Sequence, residues 1–219
     1  MYDFFLFDLD GTLTDPQVGM RKSLEYALAA MGEKTDFTNF NAFIGPPLRD
    51  TLRDFFGFTG EKTEIAVEKY REYYGETGIF ENEVYPGIVE MLTALKDKGV
   101  KMAVATSKVT EYAERVLVHF DLAKYFDYVC GAKFDGSRSA KSEIIADVLE
   151  RYKKTACKKA VMVGDRKYDI LGAKSAGIDS IGVLWGHGSA VELSDAGATH
   201  TVARPRDLLK FIFLNEDLS

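Results

Sequence analysis

Cysteine, histidine and tryptophan are scarce in this chain. Its 219 residues include two cysteines, three histidines and one tryptophan. Cys130 and Cys157 do not form a CxxC pair, so the sequence shows neither a disulfide framework nor the usual spacing of a zinc site. Two isolated cysteines are typical of a reducing compartment, and we therefore expect a cytoplasmic protein.

Long apolar runs and an excess of positive charge are also absent. No run approaches the ~18 apolar residues that a membrane span needs, and the N-terminal segment lacks the pattern of a signal peptide. We therefore expect neither membrane insertion nor secretion. Lys and Arg total 28 against 34 Asp and Glu, a net charge of −6. Because an acidic surface repels a phosphate backbone, nucleic acid is not expected as a partner.

Strand and helix patterns alternate along most of the chain. Apolar runs occur in the opening segment DFFLFDLDG and at residues 100–107 and 158–165, with shorter runs at 128–130 and 179–184. Between them, apolar residues recur at the helical spacing i, i+3, i+4, i+7, beginning at Ile88, Ala113 and Ile145. This alternation predicts an α/β fold with a Rossmann-like, doubly wound parallel sheet.

Residues 16–83 interrupt this alternation. They contain helical patterns, such as the shared face of Leu24, Ala27 and Leu28, but no convincing strand. A crossover between parallel strands needs only about a dozen residues, so this segment is far longer than a connection. We therefore predict a helical cap domain at 16–83, inserted into an α/β core formed by 1–15 and 84–219.

Polar residues follow three of the predicted strands. They are Asp8 and Asp10, Thr106 and Ser107, and Asp165 with Asp169. Ligands of an open α/β sheet bind at the carboxyl ends of its strands, so the four carboxylates are expected to converge there. Their mutual repulsion would raise their pKa values unless a cation lay among them, and an all-oxygen ligand set favours Mg²⁺. The sequence therefore predicts a magnesium site.

These residues resemble the four motifs of the haloacid dehalogenase superfamily. FDLDGTLTD resembles the first motif in its phosphatase form, VATSK the second, Lys141 the third-motif lysine and VGDRKYD the fourth. The motifs occur in family order, with the long first insertion in place, and the resemblance covers essentially the whole chain. It points to the phosphoglycolate phosphatase-like and 5′-nucleotidase members. It implies a Mg²⁺-dependent phosphatase that hydrolyses small phosphorylated metabolites.

The resemblance also implies a role for each motif residue. Asp8 would be the nucleophile that forms an aspartyl-phosphate, and Asp10 would act as general acid and then as general base. Mg²⁺ would be held by Asp8, the backbone carbonyl of Asp10 and Asp165. Thr106 would hydrogen-bond a phosphoryl oxygen, and Lys141 would supply a positive charge to the phosphate and to Asp8.

Further residues are predicted to support the site. Asp169 is expected either to orient the metal ligands or to pair with the motif lysine. Gly11 and Thr12 would let the backbone turn closely around the phosphate, and Ser107 is predicted to contact it as well. Arg49 follows the rigid turn FIGPP inside the predicted cap. It is expected either to contact a substrate anion or to lie exposed at the start of a helix.

Several alternatives stay open at the level of sequence. Lys108 is a second candidate cation near the phosphate, and Trp185 either lines the pocket rim or packs internally. Tyr70, Tyr73 and Tyr74 either form the cap core or stack on a nucleobase. A phosphomutase would need the same general acid, and a non-catalytic protein could keep the fold. The substrate (nucleotide, phosphoglycolate or sugar phosphate) and the oligomeric state (monomer or homodimer) are also open.

Overall fold

The chain begins with a strand, continues through a mainly helical segment, and then alternates between strands and helices. The computed structural model describes residues 1–34, 37, 40–153 and 159–212. The strands are β1 (Phe4–Phe7), β2 (Thr14–Asp15), β3 (Glu83–Val84), β4 (Lys101–Val109), β5 (Tyr128–Ala132), β6 (Ala160–Gly164), β7 (Asp179–Val183) and β8 (His200–Val202). The α-helices are α1 (Gln17–Ala30), α2 (Leu48–Phe56), α3 (Glu61–Glu76), α4 (Ile88–Asp97), α5 (Thr110–His119), α6 (Lys141–Tyr152), α7 (Lys167–Ser175) and α8 (Ala190–Asp195). Short 3₁₀ helices occur at Phe40–Phe43, Gly78–Phe80, Ala123–Tyr125 and Pro205–Phe211.

Six of these strands form one parallel sheet in the order β5-β4-β1-β6-β7-β8. The chain leaves β1, builds β4 and β5 on one side, and then crosses to β6 on the other side. The strand order therefore reverses at β1, and this reversal opens a crevice at the carboxyl ends of β1, β4 and β6. The predicted Rossmann-like parallel sheet is confirmed.

The side chains of β1 show that both faces of the sheet are covered. All four are at most 1% exposed. Successive strand residues point to opposite faces, so Phe5 and Phe7 pack in the cluster that contains α4 and α5. Phe4 and Leu6 pack in the second cluster, with α6 and α7. Two buried faces require a continuous apolar strand, which is the pattern that β1 has.

Helices α1, α2 and α3 form the segment predicted as a cap. The chain enters and leaves this segment through an antiparallel ribbon in which β2 pairs with β3. The ribbon contains Glu83, so it crosses the predicted boundary between 16–83 and 84–219. The division into a cap and a core stays a prediction, and we use the names cap and core for these two sets of residues.

Two details of the sheet differ from the sequence-based expectation. Strand β4 extends beyond residue 107 to Val109, with a register shift against β5 between Ala105 and Val109. The sequence pattern does not predict the edge strand β8, because three residues are too few for a recognisable alternation.

Among the described residues, no helix is both long enough and apolar enough to cross a membrane. Cys130 is a buried free thiol, and Cys157 lies outside the described residues.

Candidate active site

The carboxyl end of β1 places two aspartates at the crevice. Asp8 directly follows the strand, and its N–H still donates to the Val163 carbonyl at 2.9 Å, which continues the pairing with β6. Its Oδ1 accepts a hydrogen bond from the Leu9 N–H at 2.8 Å. Asp165 directly follows β6, the neighbour of β1 in the sheet. The sheet order thus brings together two acids that are far apart in sequence.

Asp8, Asp165 and Asp169 form what we call the acidic cluster. Each offers a carboxylate oxygen within 4.8 Å of the others, and the three residues are 4%, 0% and 0% exposed. Asp169 lies in the first turn of α7, where its Oδ2 accepts from the Arg166 N–H at 3.1 Å. A helix N-terminus favours a negative charge, so α7 contributes to holding this buried carboxylate.

Lys141, the first residue of α6, is the cation of the cluster. Its Nζ lies 2.9 Å from Asp8 Oδ1 and 2.8 Å from Asp169 Oδ1, and it donates to the Ala105 carbonyl at 3.0 Å. Burial by itself would lower the pKa of Lys141, but Asp169 and Asp8 outweigh it and raise the pKa above its usual range. The motif lysine is therefore charged beside the predicted nucleophile.

The charge balance of the acidic cluster fits a divalent cation. Three carboxylates face one ammonium, which leaves a net charge of −2 in a buried site. Burial, and then repulsion by Asp8, raises the pKa of Asp165 to about 6. Burial raises the pKa of Asp169 to about 7, although Lys141 opposes the shift. The negative charge of the three carboxylates is not fully compensated by Lys141, and an all-oxygen donor set suits a hard divalent ion.

Gly11 and Thr12 support Asp165 from the loop after β1. A Cβ on Gly11 would lie 2.4 Å from Asp165 Oδ2, and the φ of Gly11 is +83°, so only glycine is compatible with this approach. The Thr12 hydroxyl donates to Asp165 Oδ1 at 3.4 Å. Trp185 Nε1 donates to the Thr12 carbonyl at 2.9 Å. Trp185 thus contacts the loop after β1 and packs, partly buried, against the larger core cluster.

Two residues around Asp165 have no role that the sequence predicts. The backbone N–H of His187 donates to Asp165 Oδ2 at 2.7 Å, and its Nε2 lies 3.3 Å from Asp15 Oδ1. Arg166 is buried and its Nη1 donates to the Asn41 carbonyl of the cap at 3.0 Å. A backbone donor and a contact between distant loops have no local sequence pattern, so the sequence offers no signal for either.

Asp10 contacts the other candidate lysine. Lys108 Nζ lies 2.6 Å from Asp10 Oδ1 and donates to the Tyr74 hydroxyl at 2.5 Å. Burial raises the pKa of Asp10, and Lys108 partly offsets this effect. The structure thus separates the two lysines: Lys141 contacts Asp8 and Lys108 contacts Asp10.

A cavity of about 350 Å³ lies between the cap and the carboxyl edge of the sheet. Its core side is lined by the polar residues Asp8, Asp10, Thr106, Ser107 and Lys108. Its cap side includes four aromatic residues among aliphatic, proline and charged residues: Phe40, Phe43, Tyr70 and Tyr74. Arg49 also lines the cavity, but its Nε and Nη2 donate to the Glu64 carboxylate at 2.8 and 2.7 Å. Unlike Tyr70 and Tyr74, Tyr73 is not among the residues that line this cavity, and its hydroxyl donates to the Glu81 carboxylate at 3.2 Å.

The sequence matches the family model of the haloacid dehalogenase-like hydrolases over residues 5–183. The chain belongs to this family. It is 40% identical over 203 residues to a 5′-nucleotidase of Pseudomonas aeruginosa, a match that covers 92% of this chain and 91% of the relative. It is 33% identical over 212 residues to a phosphoglycolate phosphatase of Aquifex aeolicus, covering 94% and 95%. The predicted resemblance is confirmed.

Two further relatives of this haloacid dehalogenase-like hydrolase are informative. A structure described as a predicted phosphatase from Clostridium acetobutylicum aligns with a TM-score of 0.91 and 41% identity, covering 96% of this chain and 97% of that one. The tyrosine-protein kinase PtkA of Mycobacterium tuberculosis is 40% identical over 186 residues, which is 84% of this chain and 63% of the relative. The predicted enzyme class, a phosphomonoesterase hydrolase, is confirmed by the family and the phosphatase relatives.

The structure brings nearly all of the predicted site residues to one edge of the sheet. Asp8, Asp10, Thr106 and Ser107 line the cavity, and Lys141 lies beneath them against Asp8. Asp169 pairs with Lys141, Gly11 and Thr12 contact Asp165, and Arg49 lines the cap side of the cavity. The individual roles in catalysis, metal binding and substrate binding stay predictions.

Proposed function

We propose that this hydrolase is a Mg²⁺-dependent phosphatase of small phosphomonoesters, with nucleoside 5′-monophosphates as its substrate class. The observation that carries the proposal is the cavity itself. Its polar side presents Asp8 and Asp10, and its opposite side includes four aromatic side chains. Bound at the acidic cluster, Mg²⁺ would neutralise charge between the nucleophile and the phosphate. Asp8, Asp165 and the Asp10 carbonyl would hold it, with Asp169 holding Lys141 beside them.

The protein's own side chains would carry both half-reactions. In the first, an Asp8 carboxylate oxygen attacks phosphorus while the bond to the leaving oxygen breaks and Asp10 gives that oxygen a proton. In the second, Asp10 takes a proton from a water molecule that attacks phosphorus, and the Asp8–phosphorus bond breaks. The Lys141 ammonium stays beside Asp8 in both half-reactions, and Thr106 hydrogen-bonds a phosphoryl oxygen.

The lining of the cavity favours a nucleoside over a glycolate leaving group. About 350 Å³ lies at the lower end of the range for sites that enclose a drug-sized ligand. Aromatic side chains such as Phe43 and Tyr70 offer faces on which a base can stack. Phosphoglycolate would instead use a cation for its carboxylate. Of the arginines that line the cavity, Arg49 donates two hydrogen bonds to Glu64, and Arg71 donates to a backbone carbonyl rather than to a carboxylate. The preference for a nucleoside therefore rests on the apolar lining. A base-bearing substrate uses the apolar lining, whereas glycolate leaves it unfilled.

The test is phosphate release from three substrates in the presence of Mg²⁺. Nucleoside 5′-monophosphates, ribose 5-phosphate and 2-phosphoglycolate share the phosphate but differ in the group that reaches the cap. We expect kcat/KM to be highest for the nucleotides, and Asp8→Asn to reduce every rate to background. Acid-quenched protein should carry the phosphoryl group on Asp8, detected by mass spectrometry.

Three results would contradict this proposal. Equal kcat/KM for ribose 5-phosphate and the nucleotides would show that the aromatic lining does not bind the base. Transfer of the phosphoryl group to a second sugar hydroxyl would identify a phosphomutase. Because one relative is named a tyrosine-protein kinase, ATP with a tyrosine peptide belongs in the same panel, and phosphotyrosine formation would replace hydrolysis as the activity.

A further inference from the structure

Lys108 is a buried cation that the proposed reaction does not use. Its side chain is only 5% exposed, and lysine is almost never this buried without a partner. It lies in the last residues of β4, within the register shift, where its backbone N–H donates to Thr106 Oγ1 at 3.2 Å. The side chain is therefore attached to the segment that is predicted to bind the phosphate.

The two partners of the Lys108 ammonium come from different parts of the molecule. Asp10 Oδ1, at 2.6 Å, belongs to the core. The Tyr74 hydroxyl, at 2.5 Å, belongs to helix α3 of the cap. Tyr74 is 3% exposed. The chain of contacts from Tyr74 through Lys108 to Asp10 thus joins the cap to the predicted general acid, inside the cavity that both parts line.

This geometry restricts the carboxyl group of Asp10. Lys108 occupies one carboxyl oxygen, which leaves the other for a proton transfer. A flexible lysine with a single partner could rotate away, since its side chain has several freely rotating bonds. The Tyr74 hydroxyl removes that freedom because it accepts a second hydrogen bond from the same ammonium. Correct placement of a reacting group contributes strongly to rate, and small displacements are costly.

We propose that Lys108 and Tyr74 are positioning residues that together orient the Asp10 carboxyl for proton transfer, and that Tyr74 makes this orientation depend on the cap lying against the core. The proposal rests on the proposed phosphatase function but not on the nucleotide as its substrate. The proton still passes from Asp10 to the leaving oxygen, and neither positioning residue exchanges a proton with the substrate.

Two aryl phosphates of nearly the same shape test the proposal. Phenyl phosphate releases a basic phenolate that needs a proton from Asp10, whereas p-nitrophenyl phosphate releases a stable anion that needs little help. The variants are Lys108→Met and Tyr74→Phe. The matched control is Tyr73→Phe on the same helix, because the Tyr73 hydroxyl contacts Glu81 rather than Lys108. The measured quantity is kcat/KM, which reports the steps up to departure of the phenol.

General acid catalysis contributes about 10²–10⁴-fold to a rate, and misplacing the acid removes part of that factor. We expect Lys108→Met and Tyr74→Phe to lower kcat/KM for phenyl phosphate by about 10-fold or more, and for p-nitrophenyl phosphate by less than about 3-fold. Tyr73→Phe should leave both values unchanged. Thermal denaturation checks that each variant is folded, and if Lys108→Met does not fold, Tyr74→Phe carries the test alone.

Equal losses on the two substrates would overturn the proposal, since a general structural defect does not distinguish leaving groups. A Tyr74→Phe variant that behaves like Tyr73→Phe would overturn the link to the cap. The proposed phosphatase function fails in a different way. It fails if Asp8→Asn retains turnover of either aryl phosphate, whatever the ratio measured for the positioning variants.

Discussion

Replacing Lys141 with methionine tests the electrostatic account of the acidic cluster. Methionine keeps the length and apolar stem of the side chain but removes the ammonium that contacts Asp8 and Asp169 at 2.9 and 2.8 Å. Removing one partner of a buried ion pair costs about 3–5 kcal/mol, because the other charge stays buried without compensation. We therefore expect Lys141→Met to lower the free energy of unfolding by about 3–5 kcal/mol at neutral pH without metal.

The deficit should depend on pH in a definite direction. The pKa values of Asp169 and Asp165, about 7 and about 6, are above those of an unfolded aspartate, about 3.9. The folded state therefore binds protons more tightly than the unfolded state, so stability falls as the pH rises from about 3.9 towards about 7 and the full cost of ionisation is present above about 7. Lys141 offsets that cost. Its loss should thus be most damaging above about pH 7 and less damaging near about pH 5.

Urea denaturation of wild type and Lys141→Met, at about pH 8 and about pH 5, measures this dependence. Lys174→Met on α7 is the matched control, since Lys174 is exposed and its loss should change stability by less than about 0.5 kcal/mol. Saturating Mg²⁺ should recover more stability in Lys141→Met than in the wild type, because the variant cluster has one positive charge fewer. A deficit that is identical at both pH values and insensitive to Mg²⁺ would refute the reasoning.

Two further predictions concern the same cluster. Gly11→Ala places a Cβ 2.4 Å from Asp165 Oδ2, so we expect weaker Mg²⁺ binding by isothermal titration calorimetry. The control is Gly32→Ala, which should bind Mg²⁺ normally because Gly32 has a similar positive φ of +72° but no atom within 4 Å of the added Cβ. Equal binding by both variants would contradict the packing argument. Mg²⁺ affinity of the wild type should fall as the pH drops through about 7 and then about 6, because protons compete for Asp169 and then Asp165. A proton on Asp165 removes a ligand, whereas one on Asp169 removes a negative charge beside it, so an affinity that is constant over this range would show that the acidic cluster does not hold the ion.

Local patterns in the sequence are sufficient to predict the fold and most of the candidate site. An apolar run that ends in acidic residues predicts a strand tip, and this pattern alone locates Asp8 and Asp165 at the ends of two strands. The helical spacing from Ile88, Ala113 and Ile145 locates α4, α5 and α6. These features are local because the period of a helix or strand is repeated within a few residues.

The partners of each charged group depend on the tertiary structure. The sequence predicts Lys141 near the nucleophile and leaves Lys108 open, and it has no means of joining Lys108 to Asp10, 98 residues away, or to Tyr74, 34 residues away. The same holds for His187, whose backbone N–H reaches Asp165 only because the loop after β7 folds over the end of β6.

The sequence by itself thus determined that β1, β4 and β6 end in polar residues at one edge of a parallel sheet and that a helical segment follows the first strand. Only the tertiary structure decided which lysine neutralises which aspartate and which cap residue contacts the predicted general acid. The physical reason is that periodicity and turn residues act over a few positions. An ion pair in a buried cavity instead depends on strand order, loop path and the direction of each side chain.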